Sequence, residues 1–281
     1  MTARTSPTVR RRRLGKELRR LRMSAGQTID QVAKELECSE SKISRIETGQ
    51  VTALPRDVGD MLKLYEVGDE QRDELMQLAR DARKTAWWRT YGGVRRSAYL
   101  GFEAAAEQIS TYESMLVPGL LQTPAYARTV LRTLYPRFSA QEVEQRVRAR
   151  RVRQALLTQD DPPTVRAVLD EAVLRRPVGG PETIREQLYQ LAEAAKLPSV
   201  TIQVAPFSVG EHMGLCGPFT IMTFREPDQP AVVYLENVTR ESFLEAQGEI
   251  RQYEIAFDQL SGVALKPDES IAYLVALDKQ L

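Results

Sequence analysis

Cysteine and histidine are almost missing from this chain. Its 281 residues include two cysteines, Cys38 and Cys216, and one histidine, His212. Two cysteines cannot build a disulfide framework or a thiolate zinc site. A single imidazole excludes an imidazole-rich metal centre. No metal and no cofactor are therefore expected. Long apolar runs are also lacking, since none approaches the roughly 18–20 residues that cross a bilayer. The start, MTARTSPTVRRRRLGKEL, has arginines with no apolar stretch behind them, which is not the pattern of a secretory signal. A cytoplasmic, nucleoid-associated protein is the expectation. The phosphate-cradling GxxxxGKS pattern is absent as well.

What is present is an ordinary soluble composition, 42% hydrophobic and 27% charged, with room for one large domain or two ordinary ones. The net charge of +1 hides an asymmetry. Residues 1–56 hold 13 Lys/Arg against 6 Asp/Glu, a net of +7, and the remaining residues hold 26 against 32, a net of −6. A basic head precedes an acidic body.

In the head, residues 1–13 read as a disordered basic arm ending in Arg10, Arg11, Arg12 and Arg13. Leu14, Leu18 and Leu21 then recur at helical spacing until Gly26 stops the helix. Thr28 stands at an N-cap position before Ile29, Val32, Ala33 and Leu36. After a break at Glu37 and Cys38, Ser39 caps a third helix carrying Ile43 and Ile46, which Gly49 closes. Two short helices joined by a tight turn and sharing a small buried face form a helix-turn-helix, and Ala33 allows their backbones to approach closely. Residues 54–66 and 70–84 supply two further amphipathic helices. An all-α, five-helix head over residues 14–84 is the result.

Residues 14–66 resemble the Xre-type helix-turn-helix of bacterial regulators, related to the phage repressors. The matching string is Gly26-Gln27-Thr28, Val32-Ala33, Leu36, Ser39, Ile43-Ser44-Arg45-Ile46-Glu47, Gly49 and Pro55. The resemblance implies binding to double-stranded DNA, with Gln27, Thr28, Ser39, Glu40, Ser41, Lys42, Ser44 and Arg45 as candidate contacts. Arg45 can make bidentate bonds to guanine, Ser41 and Ser44 can bond base or phosphate, and Glu40 can accept from cytosine N4. Lys42 suits a phosphate, and Glu47 reads as structural, holding backbone or an arginine. The pattern departs from the family at Ile29 and Glu40, where glutamine is common. Arg11, Arg12 and Arg13 of the arm are the candidates to supply the missing contacts.

The body begins after a junction over residues 85–98, where Trp87, Trp88 and Tyr91 precede Gly92-Gly93. The tryptophans read as an anchor between domains or as an aromatic platform for a ligand. The spacing of Leu100, Ala104, Ile109 and Tyr112 predicts a helix over 99–112. Further helices are expected over 140–157, 181–196, 241–260 and 268–281, and strands over 165–169, 201–204, 219–224 and 232–235. The last two form an expected antiparallel hairpin. The helix over 140–157 is very basic, through Arg146, Arg148, Arg150, Arg151 and Arg153. It reads as a solvated face paired with acidic neighbours, or else as added DNA contact or a docking surface. The body over 99–281 is therefore expected to be an α+β domain with a small, largely antiparallel sheet.

The string Tyr112-Glu113-Ser114-Met115-Leu116-Val117-Pro118-Gly119-Leu120-Leu121-Gln122-Thr123-Pro124-Ala125-Tyr126-Ala127-Arg128 matches no catalytic template. With Arg148–Leu157, Gly217-Pro218-Phe219 and Val232–Glu236, it resembles the large C-terminal domain of actinobacterial Xre-type regulators of the WhiJ-like kind. That resemblance spans residues 10–281. It implies a homodimer on a pseudo-palindromic operator, and a small BldB-like protein as partner of the regulatory and dimerisation domain. The alternative for the body is a small-molecule sensor with a pocket near Tyr112, Glu113, His212 and Tyr234. His212 and Cys216, four residues apart in a glycine-rich loop, could form a base and a nucleophile. They lack an orienting group apart from Glu211, so a turn or a pocket rim is the better reading and no enzyme is expected.

Overall fold

The first helix starts earlier than the leucine spacing suggests. The computed structural model describes residues 6–84, 98–226 and 229–280. In it α1 runs over Pro7–Ser24. Ser6 accepts a hydrogen bond from the Val9 amide at 3.3 Å, and Pro7 occupies the first turn, where its missing N–H and fixed φ cost nothing. Val9 and Thr8 are buried. The expected disordered arm is thus two turns of helix from residue 7 onward, because a cap, a proline and a buried valine outweigh four adjacent arginines.

Helices α2 (Ile29–Glu35), α3 (Glu40–Glu47), α4 (Pro55–Leu64) and α5 (Asp69–Asp81) follow. They enclose one core made of Leu14, Leu18, Val32, Ile43, Ile46, Val58, Met61, Leu62 and Leu75, among others. Each such buried side chain contributes roughly 1.5–3 kcal/mol of hydrophobic free energy. A sixth helix, α6 (Ala98–Ala105), belongs to the same compact unit, whose boundary falls between Ala105 and Ala106. The junction residues Trp87, Trp88 and Tyr91 lie outside the described residues.

The second unit, from Ala106 onward, is built on a six-stranded sheet of order β3-β2-β1-β4-β5-β6. Its strands are β1 (Gln108–Glu113), β2 (Thr164–Asp170), β3 (Val200–Ala205), β4 (Phe219–Thr223), β5 (Val232–Glu236) and β6 (Glu241–Leu244). β1, β2 and β3 are mutually parallel, and β4, β5 and β6 join antiparallel. The expectation of a small, largely antiparallel sheet is corrected by this mixed one. Parallel neighbours need long crossovers. Here α7 (Pro124–Leu134) and α8 (Ala140–Gln154) lie between β1 and β2, and α9 (Glu171–Arg175) and α10 (Pro181–Ala194) between β2 and β3. The segment read as one helix over 99–112 is in fact α6 followed by the central strand β1. The hairpin of β4 and β5 pairs Ile221 with Val233.

One side of the sheet packs Tyr112, Phe219, Ile221 and Val233 against Ile250, Phe257 and Leu260 of α11 (Gln247–Val263). The outer edge of β3 is satisfied at Val204. Its carbonyl accepts from the Leu265 amide at 2.8 Å, and its amide donates to Ser270 Oγ at 3.0 Å. Ser270 lies on α12 (Pro267–Asp278), so helix and loop blunt an edge that would otherwise recruit another strand.

Candidate DNA-binding interface

The geometry of the head begins with its caps. Thr28 and Gln31 form a capping box at α2, with the Gln31 amide donating to Thr28 Oγ1 at 3.2 Å and the Thr28 amide to Gln31 Oε1 at 2.7 Å. Such a box satisfies two donors that the helix end leaves over. Between α2 and α3 the chain turns through Glu37, whose φ is +49°, and the Cys38 amide donates to the Ala33 carbonyl at 2.8 Å. Ser39 Oγ then accepts from the Lys42 amide at 3.2 Å and starts α3.

Packing decides which face of α3 remains outside. Ile43 and Ile46 are buried against Val32 and Ala33 of α2. Ser39, Glu40, Ser41, Ser44 and Arg45 are exposed on the opposite side. Short hydroxyls with one long guanidinium suit the floor of a major groove. Arg45 is steadied by its Nε donating to the Ser41 carbonyl at 3.1 Å. Lys42 is tied down, its Nζ lying 2.6 Å from Asp57 Oδ2 at the start of α4. It is therefore half-buried rather than a freely extended cation. Gln27 and Thr28 sit at the start of α2, with Thr28 exposed and already engaged in its box.

Behind α3, Glu47 takes both arms of Arg22. Nε and Nη2 donate at 2.6 and 2.9 Å, and Nη1 donates to the Gln27 carbonyl at 2.8 Å. The hydrogen bonds that it donates to Glu47, opposed by burial, raise the Arg22 guanidinium above its usual range. Burial first, and then the Glu47 charge, push the neighbouring Tyr65 hydroxyl upward too. Glu47 thus fastens α1 to α3 and faces no groove.

The three arginines assigned to the arm separate in the structure. Arg11 Nε donates to the Gly49 carbonyl at 2.7 Å, closing the C-terminus of α3. Arg12 stacks its guanidinium 4.7 Å above the Phe102 ring. Burial, then the adjacent Arg11 charge, lower Arg12 to about 10. Arg13 is exposed. Two of the three hold the head together, a role that a run of basic residues does not announce.

In the body, the four candidate pocket residues divide across the sheet. Tyr112 and His212 meet edge-to-face at 5.9 Å. Asp170, which the sequence reading missed, accepts from Tyr112 Oη at 3.3 Å and lies 3.7 Å from His212 Nε2. Its other oxygen caps α9 by accepting from the Ala172 amide at 2.8 Å. An aspartate at a strand end ahead of a helix was the available signal. Thr111, Thr220 and Tyr234 lie in one cross-strand row, so alternation places Tyr234 and Glu113 on the face opposite Tyr112. Tyr112 and Glu113 cannot line one pocket. Burial, then the Glu236 charge, raise Glu113 to about 8.

The basic helix α8 does not carry a uniformly solvated face either. Its own Glu144 pairs at 2.5 Å with Arg128 of α7, which lies outside the basic run. Arg150 instead has a buried Nη1 without a hydrogen-bond partner. Burial and then the Arg153 charge lower that guanidinium to about 10, with Tyr135 and Glu236 opposing.

Two family models match separate segments of the chain. A helix-turn-helix domain family model matches residues 13–75, and the family model described as a domain of unknown function, DUF5753, matches residues 96–275. No curated protein and no solved structure matches. The helix-turn-helix makes this a DNA-binding regulator in its coarse class. Since the longer match covers well over half of the residues, the chain belongs to the DUF5753 family and carries a helix-turn-helix domain ahead of that family's own domain.

Proposed function

We propose that the chain is a sequence-specific transcriptional regulator of the Xre type. It acts as a homodimer on a pseudo-palindromic operator and represses by occluding a promoter. The observation that carries this reading is α3, capped by Ser39 and presenting Ser41, Ser44 and Arg45 to solvent while Ile43 and Ile46 hold it on α2. One small head offers few base contacts for genomic specificity, which supports dimerisation through the second unit and half-sites roughly 34–36 Å apart or a multiple of that. In this reading the DUF5753 domain also receives a small BldB-like protein that alters DNA binding.

Selection of bound duplexes from a randomised pool tests it. The wild type is expected to recover a two-fold symmetric motif. Arg45→Ala is expected to lose about 1–3 kcal/mol on that motif, roughly 5- to 150-fold in Kd, and to relax one position in each half-site. Recovery of no motif by the wild type would overturn the reading.

A second reading, a regulator that responds to a small molecule, draws support from Tyr112 and His212 converging on Asp170. Tyr112 and Asp170 lie at the carboxyl ends of β1 and β2, where crevices in sheets with parallel strands form. Ligand-dependent loss of operator binding that Asp170→Asn abolishes would favour it.

A further inference from the structure

Three glycines let α1 sit close to its neighbours. A Cβ on Gly15 would stand 2.5 Å from the Ile46 and Glu47 carbonyl oxygens at the end of α3. One on Gly49 would stand 2.7 Å from Arg12 Cγ, and one on Gly101 would stand 2.2 Å from Thr8 Oγ1. Helix α1 thus meets α6 at Thr8 and the C-terminus of α3 at Gly15 along one face, since Thr8, Arg12 and Gly15 stand at i, i+4 and i+7. Arg12 belongs to both contacts, its stem against Gly49 and its guanidinium over Phe102. The family comparison assigns residues 96–275, α6 included, to the DUF5753 domain, yet α6 packs within the DNA-binding unit. Two residues, Ala106 and Glu107, join α6 to β1. The Glu107 amide already donates to the Thr223 carbonyl at 2.9 Å.

We propose that α6 is a working part of the DNA-binding head and that Arg12, Gly101 and Phe102 are positioning residues for the recognition helix α3. Seated on α1, α6 fixes Arg12 against Gly49 and so sets where α3 ends. With α6 displaced, the charges of the head remain but the reading face of α3 loses its register. Affinity for a cognate sequence should therefore suffer more than affinity for arbitrary DNA, which depends on phosphate contacts. This inference rests on the reading of the head as a sequence-specific binder.

The test uses full-length chains, the duplex that the wild type selects from the randomised pool, and a random-sequence duplex of equal length. Gly101→Val, Arg12→Ala and Phe102→Ala are compared at a temperature where circular dichroism shows every variant folded. Leu75→Ala, in the core on α5, serves as a control that weakens the same unit elsewhere. In the three variants the ratio of the two affinities should fall by about tenfold, Arg12→Lys should recover part of it by keeping a cation over the ring, and Leu75→Ala should keep the wild-type ratio. The inference is overturned if the three variants keep the wild-type ratio, or if Leu75→Ala lowers it as much. Failure of the wild type to select any duplex would overturn the sequence-specific reading and this inference with it, whereas equal discrimination by all variants would overturn the inference alone.

Discussion

Glu47→Ala is expected to lower the unfolding free energy of the head by about 3–5 kcal/mol, the range for removing one partner of a buried ion pair. Only 3% of the Glu47 side chain and 10% of that of Arg22 are exposed. The loss of Glu47 leaves the buried guanidinium with its bond to the Gln27 carbonyl and no counter-charge from Glu47. Tyr65, whose hydroxyl is buried without a hydrogen-bond partner, lies in the same field. The variant should unfold at clearly lower denaturant concentration in a urea titration. Removal of both charges by Arg22→Met with Glu47→Leu should cost less than the single change, because no unpaired charge is then left inside. A single variant within 1 kcal/mol of wild type would show that water reaches the pair.

Gly15→Ala is the second large effect, and its sign is informative. Inside a helix, alanine is ordinarily better than glycine by about 0.5–1 kcal/mol. At Gly15 the added carbon meets two backbone oxygens at 2.5 Å, and backbone cannot rotate aside as a side-chain tip can. The helices must separate, so a net loss of about 1–3 kcal/mol is expected in spite of the propensity gain. Gly59, in the middle of α4, gives the opposite case within the same unit. Its nearest neighbour would be Met76 Sδ at an ordinary 3.8 Å, so Gly59→Ala should stabilise by about 0.5–1 kcal/mol. Thermal melts of both variants decide the matter. A stabilised Gly15→Ala chain would show that α1 and α3 stand further apart than described.

The helix-turn-helix was legible in the residues because independent signals coincided there. Thr28 and Ser39 mark helix starts, Val32, Ala33, Ile43 and Ile46 mark a shared face, and each marks the same boundaries in the structure. The start of α1 is less legible: Ser6 and Pro7 are a cap and a first-turn residue, but the four arginines that follow carry no apolar helical period. The central strand was hidden for a different reason. β1 is buried along most of its length, as central strands covered on both faces are, so it shows no alternation of polar and apolar residues. Ile109 and Tyr112, three apart, then extended the helical spacing begun by Leu100 and Ala104. Missing β1 removed the strand on which both the parallel and the antiparallel halves depend. The short edge strand β6 was lost within the following helix, which starts at Gln247 rather than Glu241. Of the pocket residues, the sequence could place Tyr112 beside His212 only by proximity to conspicuous motifs. It could not say that Glu113, one residue along, faces the other way.

The two-residue link between α6 and β1 bears on how chimeric regulators should be assembled from this chain. A splice within residues 85–95, between the two matched segments, would look natural on an alignment. It would send α6 away with the incoming domain and leave the donor head facing a foreign Gly101, Phe102 pair or none. The transplantable head therefore ends at Ala105, and a fusion that keeps Ala98–Ala105 with its own α1 is the one expected to carry its operator preference into a new host protein.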